Sequence, residues 1–148
     1  MPIPALNADG LLPAGVHAAD LQELLRQFGR FSRTEARPRL ASRLAELVGE
    51  LPKTGLVRAL VLDGSFVTSK EAPEDVDLIL VLAAGHDWEA DLGPDTYRLL
   101  SRRQNGRRFG FDVLVAEDAS VAYEEYVQFF SRVREDAALR KGLVRIEL

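Results

Sequence analysis

Two short apolar runs constrain this chain more than any other feature. Leu56-Val57-Arg58-Ala59-Leu60-Val61-Leu62 is rich in β-branched residues and ends at Asp63-Gly64, which reads as a largely buried strand followed by a tight turn. The second, Val76 to Leu82, reads the same way and is entered through Asp75-Val76-Asp77. A third strand is expected over Phe109 to Val115, and Lys141-Gly142-Leu143-Val144-Arg145-Ile146 forms a short final one.

The segments between these strands carry helical spacing. Asp20 to Phe28 places apolar residues on one stripe and stops at Gly29. A second helix runs from about Thr34 to about Leu51, with Leu40, Leu44, Leu47, Val48 and Leu51 on its inner face. Arg37, Arg39, Arg43, Glu46 and Glu50 are assigned to the rest of that helix's surface. Asp95 to Gln104 is expected to be helical, with Tyr97, Leu99 and Leu100 inside and Asn105-Gly106 as its end. Ser120 to about Leu139 reads as one long helix, in which Tyr123, Tyr126, Phe129 and Phe130 fall at packing positions rather than on a base-stacking platform. The stretch Pro2 to Gly15 holds three prolines and two glycines, which predicts an extended, turn-rich leader. The expected architecture is therefore α/β (or α+β): a mixed sheet of three to four strands packed against helices. It is read as one domain over 1–148, with a leader at 1–17, N-terminal helices at 18–55, a core at 56–116 and a C-terminal helix and tail at 117–148.

Composition narrows the chemistry. There is no cysteine and there are two histidines, His17 and His86, so a thiolate site or a multi-histidine zinc centre is excluded and any metal must be held by oxygen. A net charge of -4 opposes indiscriminate nucleic-acid binding. No apolar run of membrane-spanning length and no signal-peptide pattern occurs, so a cytoplasmic location without membrane insertion is expected.

Oxygen ligands are available in one place. Two residues apart on a strand, Asp75 and Asp77 leave the same face while Val76 points into the core, which is a clamp suited to magnesium. Asp112 is a lone carboxylate in an apolar strand, and an unpaired buried charge there would be costly. If its strand neighbours the second one, Asp112 completes a three-carboxylate cluster. Gly64 and Ser65 follow the first strand, where a backbone without a Cβ, a hydroxyl and an amide suit a phosphate. Lys70 is grouped with them as a phosphate-binding candidate, against the alternative of a solvated turn lysine. Arg102, Arg103, Arg107 and Arg108, expected around a loop at Asn105-Gly106, are weighed as an anion-receiving patch or as a solvated loop. Trp88, in a loop after Gly85-His86-Asp87, has the position to pack over the site.

Gly64-Ser65, nine intervening residues, Asp75-Val76-Asp77 and a later in-strand Asp112 together resemble the DNA polymerase β-type nucleotidyltransferase superfamily, in particular its small bacterial minimal members. The resemblance covers roughly Leu56 to Val115. It implies that Gly64 and Ser65 hold the terminal phosphates of a nucleoside triphosphate and that Asp75 and Asp77 bind two magnesium ions. It also implies that Asp112 joins them and helps activate an acceptor hydroxyl on RNA, protein or a small molecule. Phe66-Val67-Thr68-Ser69-Lys70 lacks the Arg-Gly that often follows the motif serine in minimal members. Ile3-Pro4-Ala5-Leu6-Asn7 and Lys141-Gly142-Leu143-Val144 also resemble an uncharacterised bacterial family of similarly short proteins, which assigns no activity. Two further expectations stand beside transfer. One is a non-catalytic interaction module of this fold, such as a toxin-antitoxin component with a helical protein partner; the other is a phosphate-binding regulatory domain.

Overall fold

In the computed structural model, residues 3–30, 34–133 and 136–148 are described. The two apolar runs become β2 (Val57–Asp63) and β3 (Asp77–Leu82), which pair antiparallel with Leu60 opposite Leu80 and Asp63 opposite Asp77. β4 (Asp112–Glu117) lies parallel to β3, with Asp77 opposite Asp112. On the other side of β2, β7 (Gly142–Glu147) pairs antiparallel, and β1 (Gly15–Ala19) runs parallel to β7 at the edge. The sheet therefore has five strands in the order β1-β7-β2-β3-β4, more than the three to four expected. The extra one is β1, which starts within the segment read as a leader (1–17) and runs past its end to Ala19. Its sequence Gly-Val-His-Ala-Ala carries little apolar bulk, and only its register with Gly142–Ile146 makes it a strand.

Alternation along each strand sorts the core into two layers. Leu60, Leu62, Leu78, Leu80, Val113 and Val144 face α1 (Leu21–Phe28), α2 (Ala36–Glu50), α3 (Pro94–Leu100) and α4 (Arg102–Phe109). Ala59, Val61, Ile79, Val81, Ala116 and Leu143 face α5 (Val121–Phe130), which contributes Tyr123 and Phe130. β3 and β4 are parallel, so the chain must cross over between them, and α3 and α4 make that crossover.

Three expected elements change. The helix read over Asp95 to Gln104 is two helices that break at Ser101, where the side chain accepts from Gln104 N and caps α4. The buried Asn105 amide donates to the carbonyls of Leu99 and Ser101, so Asn105-Gly106 stabilises the break and lies within α4 rather than ending it. α4 ends at Gly110 in a left-handed conformation (φ 75°), so Phe109 closes a helix and the strand opens at Asp112. Tyr97 faces outward instead of into the core.

The long C-terminal helix is also shorter than its reading: α5 ends at Phe130. The Ser131 hydroxyl and amide both bond to the Val127 carbonyl, and the chain continues as a two-stranded ribbon of β5 (Arg132–Val133) and β6 (Asp136–Arg140). Residues 134 and 135 of that reading, and residues 1 and 2 of the leader, lie outside the described residues. Phe129 is exposed, whereas Tyr123 and Phe130 are buried. Among the described residues no helix is long and apolar enough to cross a membrane.

A larger correction concerns Arg37. Read as a surface residue of α2, it is buried, and its guanidinium donates to the carbonyls of Phe28 (3.1 Å), Phe66 (2.7 Å), Thr68 (2.6 Å) and Lys70. One side chain thereby pins the loop after Ser65 to α2. Burial pulls its pKa down from the usual arginine value, an effect that the charge of Glu71 partly offsets.

Candidate functional site

Asp63, Asp77 and Asp112 form one in-register row across β2, β3 and β4. Each is two residues from a side chain of the α5 layer, Val61, Ile79 and Leu114 respectively, so all three leave that face of the sheet. The row sits where the sheet's apolar ladder ends. Asp75 lies two residues before β3, against the Gly64-Ser65 turn.

That turn is built tightly. Gly64 has φ 99°, and the backbone of Ser65–Val67 follows as one 3-10 turn. Ser65 donates to Asp75 Oδ1 through its amide (2.8 Å) and through its hydroxyl. The Ser65 hydroxyl in turn accepts from the amides of Glu74 and Asp75. The amide and hydroxyl that suit a phosphate are thus bonded to the Asp75 carboxylate. Burial alone would raise Asp75, but the two Ser65 bonds and the charge of Lys141 outweigh it and hold the carboxyl below its usual range.

Asp77 behaves oppositely. Burial, reinforced by the negative charges of Asp75, Asp63 and Asp112, pushes its pKa up to about 6. A carboxylate crowded by others in this way is a group that added positive charge would restore to the ionised form.

The structure places Asp112 differently from the unpaired buried acid of the sequence reading. Its side chain is 42% exposed and is gripped by Arg102, Nε to Oδ1 at 2.6 Å and Nη2 to Oδ2 at 3.0 Å. The ion pair with Arg102 accounts for how the charge is tolerated in this arrangement. Arg108, from the same basic cluster, pairs with Glu46 and Glu50 on α2. The cluster therefore lies on a helix, and two of its members hold carboxylates. Lys70 lies in the exposed loop whose backbone Arg37 anchors. Trp88 stands away from the carboxylates, bonded through its indole N–H to Glu117 at the far end of β4.

Two residues of the site escaped the sequence reading. In the sequence Asp63 serves only to end a strand, yet it is almost wholly buried. Lys141, read as the start of the last strand, brings Nζ to 3.0 Å from Asp63 Oδ1. That approach has ion-pair length without hydrogen-bond alignment, and Oδ1 is buried with no aligned donor among the described residues. Burial raises the Asp63 pKa and Lys141 works against the rise. A signal was available in the sequence, since Asp63 ends a strand two residues from Val61 and so shares its face; the register with Asp77 was not.

The buried, undersatisfied Asp63 oxygen and the strained ionisation of Asp77 fit an oxygen-ligated divalent cation. Among the described residues no three acids or imidazoles are already gathered for one. The reason lies in their partners: Asp75 is turned onto Ser65, Asp112 onto Arg102, and Lys141 stands over Asp63.

Fold and site define a mixed α/β protein with a row of carboxylates at one end of its sheet. The chain belongs to DUF6932, a family of unknown function, whose family model matches residues 4–147. No curated protein and no solved structure matches it.

Proposed function

We propose that the chain is a divalent-cation-dependent nucleotidyltransferase of the DNA polymerase β-type fold, with magnesium as the cation. The observation that supports this reading best is the in-register Asp63, Asp77, Asp112 row with Asp75 beside it, because four acids within one sheet end are electrostatically unfavourable without added positive charge. Asp75 and Asp77 would hold the cations, with Asp112 completing the set once Arg102 releases it. The cations supply charge neutralisation on the phosphates and on the attacking and leaving oxygens.

The remaining steps fall to the chain. Gly64 and Ser65 bring backbone close to the triphosphate, and Lys70 is the cation nearest in sequence to that turn. The acceptor hydroxyl of an RNA, protein or small molecule gives its proton to Asp112 as its oxygen attacks the α-phosphorus. The α–β bridging P–O bond breaks and pyrophosphate leaves with the electron pair. A general base must lie within hydrogen-bond reach of the hydroxyl, and the partly exposed Asp112 meets that requirement better than the buried Asp63.

Calorimetric titration with ATP, CTP, GTP and UTP in magnesium tests this reading, together with transfer of label from α-labelled triphosphates. At least one triphosphate should bind in wild type and lose metal-dependent binding in Asp77→Asn. Absence of binding to all four would remove the proposal.

A second reading is favoured by a different observation: Arg102 and Lys141 already neutralise two of the four acids. A site whose acids are already half balanced by the chain's own cations suits a non-catalytic interaction module whose partner is a helical protein. Exposed Trp88, Leu92 and Tyr97 border a shallow cleft that such a partner could cover. Stable co-purification with a second protein, without label transfer, would select this alternative.

A further inference from the structure

The outer faces of α2 and α4 carry four arginines that hold no acid. Arg39 and Arg43 lie about one turn apart on α2, and Arg103 and Arg107 about one turn apart on α4. All four are exposed, and none makes an ion pair or a side-chain hydrogen bond with a described residue. The α2 carboxylates Glu46 and Glu50 are held by Arg108 instead. The two helices adjoin, since Arg108 bridges them and the Arg43 guanidinium stands 3.8 Å from where a Cβ on Gly110 would lie, at the end of α4. We infer that this face binds the sugar-phosphate backbone of a single-stranded RNA and brings one of its hydroxyls to Asp112.

Three observations carry this. Each pair repeats a like charge at i and i+4, which weakens a helix until an anion balances it. Arg39 falls within the first four residues of α2 and Arg103 is the second residue of α4, and neither helix has an acid in its first turn, so both cations sit where the helix dipole disfavours them. Arg102, next to Arg103, grips Asp112, so the basic face runs up to the carboxylate row. Guanidinium forks match phosphate oxygens, and the members of each pair stand about 6 Å apart along the helix axis, so each can take a different phosphate of an extended strand. With a net charge of -4 on the chain, such attraction is confined to this face.

Helix-end electrostatics explains part of the pattern. Arg107 lies in the last turn of α4 and Arg43 beside its C-terminal Gly110, where cations complement the dipole. Arg39 and Arg103 have no such account. The choice of RNA rests on the nucleotidyl transfer proposed above: every RNA nucleotide carries a 2′-hydroxyl, so a strand on this face offers an acceptor to Asp112 in any register. The attraction of the four arginines for a phosphate backbone does not rest on that reading.

Binding is therefore tested without metal or triphosphate. Fluorescence anisotropy of a fluorescein-labelled RNA of about twelve nucleotides is followed as the full chain is added in EDTA. Wild type should bind, and the logarithm of its association constant should fall against log salt with a slope of about −2.8, or about −0.7 for each of four phosphates. Arg39→Gln with Arg43→Gln, and Arg103→Gln with Arg107→Gln, should each weaken binding at least about tenfold at about 50 mM salt and halve the slope. Because each double variant removes a like-charge pair from an exposed face, its thermal midpoint should equal or exceed that of wild type. RNA binding without label transfer from α-labelled triphosphates would keep this face and remove the transfer reading; label transfer to another acceptor without RNA binding would do the reverse. No RNA binding, unchanged affinity in both double variants, tighter binding of the matching DNA strand, or sedimentation with phosphatidylserine-containing vesicles in place of RNA binding would overturn the inference.

Discussion

Arg102 holds Asp112 through both carboxylate oxygens, at 2.6 and 3.0 Å, on the strand position directly beside Asp77. The hydrogen bonds and charge of Asp112 raise the Arg102 pKa above its ordinary value. Both side chains are largely solvated, so the pair is weak in free-energy terms, but it occupies the oxygens that the proposed reaction needs.

A cation and Arg102 must therefore compete for Asp112. Arg102→Ala is expected to tighten magnesium binding by up to about fivefold, the scale set by an exposed ion pair of up to roughly 1 kcal/mol. Calorimetric titration of magnesium into both proteins reads this directly. Weaker magnesium binding in the variant would mean that Arg102 orients Asp112 instead of withholding it.

Asp77 links function to stability with a definite sign. Its folded pKa of about 6 lies above the ordinary 3.8, so folding favours the protonated acid. The contribution is fully present below about pH 4 and is lost as pH rises through about 6. Asp77→Asn, which stays neutral, should match wild type near pH 4 and exceed it above pH 7. The margin is about 1–2 kcal/mol after screening at this half-buried position. Urea unfolding in EDTA across this range checks it, and the reverse ordering at pH 7.5 would sink the account. Added magnesium should raise the thermal midpoint of wild type and leave that of Asp77→Asn unchanged.

Arg37 ties the loop 66–70 to α2 through the carbonyls of Phe66, Thr68 and Lys70, and reaches the Phe28 carbonyl at the end of α1 as well. Replacing it with Met keeps the apolar stem but leaves buried carbonyls without donors, at an expected cost of about 3–5 kcal/mol. Chemical denaturation measures the loss. Arg37→Lys should recover only part of it, because a single ammonium cannot span the carbonyls that a planar fork reaches.

How much of this was legible beforehand depends on whether a residue's neighbours were close in sequence. β2 and β3 could be read because uninterrupted apolar runs need no partner to declare themselves. β1 could not, since Val16 is exposed and its register with Leu143 spans most of the chain. Asp75, Asp77 and Asp112 were recognisable as acids on strand ends, and the structure brings them to one sheet end. Their partners Arg102 and Lys141 follow from where α4 and β7 pack, which no local pattern encodes. Helical periodicity marked Arg37 as outward because it describes the helix alone; the 66–70 loop that covers it comes from a later segment. The same limitation extended α5 past Phe130, where neither Gly nor Pro marks the turn that the Ser131 hydroxyl makes.

Gly64 was read for phosphate access, and its position argues for an earlier role. A Cβ there would stand 2.7 Å from the Asp75 carbonyl oxygen and 3.2 Å from the Asp77 amide, all backbone, and φ 99° is itself strained for any other residue. The close approach lets Phe66 N reach the Asp75 carbonyl and lets Ser65 bond the Asp75 side chain, so the turn and the acid segment form one unit. Gly64→Ala should therefore lose roughly 2–4 kcal/mol of stability, from conformational strain and displaced backbone together. Ser65→Ala should lose less, about 1 kcal/mol, because the amide bond to Asp75 survives removal of the hydroxyl. Urea unfolding of the two variants in EDTA separates these effects from ligand binding. If Gly64→Ala matched wild type in stability and lost only triphosphate binding, the glycine would serve the phosphate alone and the welded turn would carry no folding energy.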